Sequence, residues 1–390
     1  MNRSYLFVTL SLFTWGVGEG LFLYFQPIYL QELGADPILI GGILGVMGVV
    51  MALAQIPAGM LADRVGSRTL MIASWVIGTA ATILMAAART LPLFAAGLIL
   101  YGASEFSISA MNRYITSVRG NLTVGRSLTL SFGLYNLGAV LGPVSGGFLA
   151  KKFGFQTIYL VAVVVFVIST ILIFSIEKNP PAHHDDTGSV TSRGMTRNST
   201  FQLFSAIVFL MIISAYLAQP LTPNFLQNQW GYDASMIGIL GSIGNLGNAL
   251  TMLVLGSLPP MMGMIVGQVM VGGFSAFFLL GNSPVLFGLG YFLFGGFRLG
   301  KSLVLAFARP LVHPEETGLT FGILETVSAF AIILAPVIAG LLYDQSPRLM
   351  YEVSLAAIAF SVAVNIFALP RIQKKLLHAL ASEKVAVEND

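Results

Sequence analysis

Long apolar runs separated by short polar breaks dominate the chain. They occupy about 6–30, 39–61, 70–88, 92–112, 127–150, 156–176, 201–226, 236–258, 262–281, 284–308, 317–342 and 350–369. A bilayer core of ~30 Å takes ~20 apolar helical residues to cross, so each run predicts one span. The spans are predicted to be helices. Lipid leaves an exposed backbone unsatisfied, and the many internal Gly and Pro residues argue against long alternating strands. The expected fold is an all-α polytopic membrane protein with twelve transmembrane helices. One connection is long and polar, residues 177–200 (EKNPPAHHDDTGSVTSRGMTRNST), and reads as a flexible cytoplasmic linker. It divides an N-terminal six-helix half, 1–176, from a C-terminal half, 201–390, that ends in a short cytoplasmic tail.

Composition agrees with this pattern. Charged residues are 9% of the chain, hydrophobic residues 56%, and mean hydropathy is +0.83. A soluble protein carries ~25% charged residues, so too few charges remain here to coat a water-facing surface. The excess of 20 Lys and Arg over 17 Asp and Glu does not point to nucleic acid, because the basic residues sort by membrane side. With both termini placed in the cytoplasm, fourteen basic residues lie inside, four outside (Arg89, Lys151, Lys152, Arg348), and Arg298 and Lys301 fall within a span. That bias predicts an N-in, C-in plasma-membrane protein. The chain has no cysteine, which excludes disulfides, thiolate metal sites and Cys nucleophiles. Met1-Asn2-Arg3-Ser4 leads into an apolar run without a cleavage pattern, so the expectation is a first span and not a signal peptide.

The halves repeat one another in parallel. Gly42-Ile43-Leu44-Gly45 and Gly48 match Gly238-Ile239-Leu240-Gly241 and Gly244 at an offset of 196. Pro27, Leu30 and Gln31 match Pro223, Leu226 and Gln227 at the same offset. At an offset of 193, Gly102 matches Gly295, Pro143 matches Pro336, and Gly147 matches Gly340. Several matches in order define a repeat of six spans. Such a repeat predicts a pseudo-twofold axis along the membrane normal, with a substrate site near the midplane.

Between spans 2 and 3 stands Gly59-Met60-Leu61-Ala62-Asp63-Arg64-Val65-Gly66-Ser67-Arg68. It resembles the signature loop of the major facilitator superfamily. Span 5 carries Gly138, Gly142, Pro143, Gly146 and Gly147, which resembles the span-5 motif of the proton-coupled drug antiporters of that superfamily. The resemblance implies a secondary transporter working by alternating access. It implies that Gly59, Asp63, Arg64, Gly66 and Arg68 form a cytoplasmic latch between spans 2 and 11. It also implies that the span-5 residues serve helix packing and bending. Two features depart from the antiporter pattern. Span 4 lacks the usual membrane arginine, with Tyr101 at the position of the usual Gln, and the second copy of the loop, Gly256-Ser257-Leu258-Pro259-Pro260, has no Asp-Arg pair.

Five ionisable residues lie inside spans: Glu19, Glu105, Arg298, Lys301 and Glu325. A charge at the bilayer centre costs ~2.5–3.5 kcal/mol on insertion scales, so these groups are expected to face a wet cavity, pair, or titrate. Glu105 and Arg298 occupy one repeat position at the 193 offset, which suggests a pair across the pseudo-axis. Ser11, Trp15, Glu19, Phe22 and Gln26 form one helical stripe, expected to face a substrate and proton cavity together with Tyr101. Lys301 follows Arg298 by three residues on the same face. The two would bind an anionic group, or Arg298 would pair with Glu105 and Lys301 with Glu325. Asn245 and Asn248 form a polar patch that suits interhelical hydrogen bonding.

These readings predict a transporter of small molecules, in the lipid bilayer, monomeric, with proton-coupled export of amphipathic or cationic organic compounds. The alternative is a carrier of small organic anions using Arg298 and Lys301. A third reading is a non-transporting receptor on the same scaffold. An enzyme is not expected, nor is any metal or cofactor. His183, His184, His313 and His378 all lie in loops or tails, and no phosphate-binding Gly-rich loop with Lys exists to drive transport with ATP.

Overall fold

The computed structural model describes residues 2–177, 198–312 and 317–388, without the side chains of 56–64, 109, 317–318 and 378–388. Nearly all of the 177–200 linker therefore lies outside the described residues, as do the side chains of Asp63 and Arg64, and Gly59 is described only as part of the span-2 helix. Among the described residues every regular element is helical. Eleven helices are long and apolar enough to cross a membrane, and a bent pair, Leu91–Ser107 with Ala110–Ser117, makes a twelfth when counted as one span.

Spans 2, 3, 5 and 6 are the helices Pro37–Val65, Ser67–Ala87, Val124–Phe153 and Phe155–Phe174. Spans 8, 9, 11 and 12 are Ala234–Leu255, Pro260–Leu280, Thr317–Gln345 and Leu349–Glu388. Single residues join two neighbouring pairs. Gly66 at φ 79° turns span 2 into span 3, and Gly154 at φ 85° turns span 5 into span 6. Both values lie in the region where a Cβ is strained, so glycine allows a one-residue corner.

Spans 1, 4, 7 and 10 differ from expectation, because each is broken. Span 1 runs Arg3–Phe22, passes through a tight turn at Leu23–Phe25, and resumes at Gln26–Glu32. Span 7 breaks at the equivalent place, between Ser199–Tyr216 and Thr222–Trp230, and Pro27 and Pro223 open the second piece of each. Proline is favoured in a first helical turn, where its missing N–H costs nothing. Span 10 divides into Pro284–Leu293 and Gly296–Ala308. Span 4 breaks at Glu105–Ser107, between Leu91–Ser104 and Ile108–Ser117. A neighbouring helix bonds the chain at that point. Ser74 donates to the Ser104 carbonyl at 2.6 Å and accepts from Ser107 at 2.9 Å, so that carbonyl is bonded from outside the helix.

The chain divides into two compact units: 1–183 with 220–245, and 184–219 with 246–390. In the first, span 1 packs on spans 5 and 6, and span 3 on spans 4 and 6. Its interior holds a ladder of rings. Trp15 meets Trp75 at 4.9 Å and Phe166 at 4.2 Å, Phe22 stacks on Tyr159 at 5.5 Å, and Tyr159 meets Phe94 at 5.0 Å. Hydroxyls fix the helix register around it: the Trp75 indole donates to Ser11 at 2.8 Å and to Ser169 at 2.9 Å. In the second unit, span 7 packs on spans 11 and 12, and span 9 on spans 10 and 12. Gln268 of span 9 donates to Ser361 at 2.6 Å and accepts from Asn365, both on span 12. Such bonds suit helix association where apolar tails give no hydrophobic drive.

Candidate functional site

The stripe on span 1 does not act as one surface. Steps of four residues advance ~40° around a helix and a step of three returns ~60°, so Glu19 lies at one edge. Ser11, Trp15 and Phe22 lie toward the other and turn into the bundle. Trp15, Phe22 and Tyr101, expected on a cavity wall, are each under 7% exposed and belong to the aromatic ladder. Gln26 is likewise buried, opening the second piece of span 1. An aromatic and polar stripe avoids lipid, but the interior of a bundle satisfies that requirement as well as a cavity does.

Glu19 is different. It is half-buried, and the Tyr135 hydroxyl of span 5 donates to its Oε2 at 2.6 Å. That length falls in the range of hydroxyl-to-carboxylate bonds. Glu105, at the break of span 4, is also half-buried and lies close enough to feel the charge of Glu19. The buried Tyr101 hydroxyl feels both carboxylates and Tyr135. Two acids and two phenols from spans 1, 4 and 5 thus share one region of the first unit. Tyr135 escaped the sequence reading, although it stands on one face with Ser131, Gly138 and Gly142.

That face is the seam between spans 1 and 5. A Cβ on Gly138 would lie 2.4 Å from the Phe13 carbonyl oxygen, and one on Gly146 would lie 2.1 Å from that of Leu21. A Cβ on Gly142 would meet the Gly20 backbone at 2.5 Å. Gly147 points elsewhere, toward the Ala234 carbonyl of span 8. Pro143 has no N–H for the carbonyl of Ala139, one turn earlier. Asn245 of span 8 donates to that carbonyl at 2.6 Å, and Ser242 donates to the next, Val140, at 2.7 Å.

Lys151 and Asp233 form an ion pair of 2.8 Å between spans 5 and 8, with side chains 58% and 45% exposed. The Lys151 ammonium, and then the Met236 backbone N–H, hold the Asp233 carboxyl below the usual value. The pair therefore contributes above the ordinary Asp range near ~3.9 and is lost as pH falls through the lower folded value. Solvent screening keeps it small. Lys151→Ala is expected to cost at most ~0.5 kcal/mol in thermal unfolding at neutral pH. A loss several times larger would show that the pair is not screened.

In the second unit Lys301 bonds Glu325 at 3.2 Å, joining spans 10 and 11, and Arg298 is exposed one turn earlier near Tyr216. Arg298 and Glu105 thus belong to different units. Of the signature loop, Gly66 makes the corner already described. Arg68 reaches the end of span 6, donating from Nε to the Ile176 carbonyl at 2.7 Å and from an Nη to that of Phe174 at 3.1 Å. A guanidinium on the last carbonyls of a helix complements its dipole.

The sequence profile of the Major Facilitator Superfamily matches residues 8–204 and again 203–387, once per half. The chain belongs to the Major Facilitator Superfamily. As a superfamily member it is a membrane-embedded transporter and not an enzyme. It is 22% identical to Multidrug resistance protein 1 of Bacillus subtilis (strain 168) over 379 residues, covering 94% of this chain and 96% of that protein. It is 21% identical over 379 residues to the Quinolone resistance protein NorA of Staphylococcus aureus (strain MSSA476), with 88% and 91% covered. Its fold matches a mutant of the nucleoside transporter NupG with a TM-score of 0.81 at 15% identity, over 95% of this chain and 99% of that one.

Proposed function

We propose that this superfamily transporter exports small amphipathic or cationic organic compounds in exchange for protons, by alternating access across the plasma membrane. One observation carries the chemistry. Glu19, bonded by Tyr135, has a second carboxylate, Glu105, within electrostatic reach inside a membrane span. Two carboxylates that sense one another in a low-dielectric interior suit a single positive charge, either a substrate ammonium or a proton. Competition for that charge couples the two fluxes. The full-length relatives named for multidrug and quinolone resistance support the substrate class.

The competing anion reading needs two free cations on span 10. Lys301 is engaged by Glu325, which disfavours it. Thermal stabilisation of the purified protein by tetraphenylphosphonium, benzoate and glucose, at two pH values, separates the readings. A ligand at one hundred times its dissociation constant stabilises by ~2.7 kcal/mol. The expected result is stabilisation by the cation, lost in Glu19→Gln. Stabilisation by benzoate, lost in Arg298→Ala, would make the protein an anion carrier.

A further inference from the structure

The second repeat does not stay within its own unit. Residues 220–245, the end of span 7 and the start of span 8, pack with the first repeat, and the span-8 helix Ala234–Leu255 continues into the second unit. Backbone packing of Gly238 against Pro143 and Gly147 holds part of this segment, and its side-chain hydrogen bonds to the first repeat are made largely by carboxamides. Gln31, at the end of span 1, donates to Asn228 at 3.0 Å and accepts from Asn228 at 2.9 Å and from Asn224 at 2.8 Å. Asn224 also donates to the Pro27 carbonyl at 3.0 Å. Deeper in, Asn245 accepts from the Tyr24 hydroxyl at 3.1 Å while it occupies the carbonyl freed by Pro143. Tyr24 sits in the break of span 1, and its ring lies against Gly241.

We propose that Gln31, Asn224, Asn228 and Asn245 form a carboxamide lock that closes the outer side of the transporter and must open once in every cycle. The proposal rests on the alternating-access reading. Three features mark a lock over a fixed joint. Its bonds connect chain segments from different repeats, and Gln31, Asn224 and Asn228 follow breaks in their spans. Each bond is weak enough to reform, at ~0.5–1.5 kcal/mol net. The Asn245 bond also fills a gap that the helix of span 5 cannot fill itself, so span 8 has one register on span 5 in the closed state. The exposed Lys151–Asp233 pair at the rim adds little to this hold.

The natural absence of cysteine makes the test direct. Gln31→Cys with Asn228→Cys is expected to form a disulfide under mild oxidation. The disulfide should reduce tetraphenylphosphonium flux at least about tenfold, and a reductant should restore it. A disulfide that leaves flux unchanged, or that fails to form, would overturn the lock. A second readout needs neither substrate nor proton gradient, so it stands if the export reading fails. Ser242→Cys, at the buried seam, is labelled from outside the cell with a membrane-impermeant maleimide. Adding Gln31→Ala and Asn228→Ala should raise that rate about tenfold, the equilibrium change expected from one or two lost net hydrogen bonds. An unchanged rate would contradict the proposal.

Discussion

Glu19→Gln is expected to abolish the pH dependence of export while leaving the protein folded. The amide keeps an acceptor for the Tyr135 hydroxyl, now bonded at 2.6 Å, but can neither titrate nor hold a cation. Tyr135→Phe does the converse. It keeps the carboxylate and removes the hydroxyl that fixes it to span 5. The expected result is a pH profile that is shifted but present, with flux reduced about ten- to a hundredfold, as the ~1.5–3 kcal/mol of one charge-assisted hydrogen bond implies. Proteoliposome flux measured across pH 5.5 to 8.5 distinguishes the two. A Glu19→Gln protein with the pH profile of the native chain would remove Glu19 from coupling.

The second large effect is structural. Gly142→Ala places a Cβ 2.5 Å from both the Cα and the carbonyl carbon of Gly20 and 2.7 Å from the Leu21 nitrogen. Those are backbone atoms, so spans 1 and 5 must separate. Overpacking of this kind costs ~1–3 kcal/mol, which should appear as a lower unfolding temperature in detergent. Gly133→Ala is the matched control, on the same helix with nothing within 4 Å of the added carbon. It should be neutral or stabilising by up to ~1 kcal/mol, from helix propensity. Equal losses in both would show that the effect is not the seam. Separation of spans 1 and 5 also pulls Tyr135 from Glu19, so Gly142→Ala should reduce flux as well.

The fold was largely legible because lipid imposes a simple rule. Twenty apolar residues make a crossing, so the apolar runs mark the spans directly. What the hydropathy pattern missed were the breaks. The break in span 4 depends on Ser74 of a neighbouring helix, and no window along span 4 contains that residue. The candidate site was legible only in part. Glu19 and Glu105 stand out because charge within a span is costly. Trp15, Phe22 and Tyr101 are buried among rings, and avoidance of lipid alone does not distinguish a cavity wall from a bundle interior. Tyr135 has no charge to mark it, and only its shared face with Gly138 and Gly142 pointed toward span 1. Asn245 had a clearer signal. Pro143 in mid-helix leaves the Ala139 carbonyl in need of a donor, and a polar patch on another span is the natural place to seek one.

The central claim is that proton movement drives a cation the other way. The most direct measurement reconstitutes the purified protein in liposomes and follows tetraphenylphosphonium accumulation under an imposed pH gradient, with the membrane potential clamped by potassium and valinomycin. The expected result is accumulation toward the acidic compartment, collapsed by a protonophore and absent with Glu19→Gln. Tetraphenylphosphonium flux that is indifferent to the gradient and equal in the two proteins would contradict it.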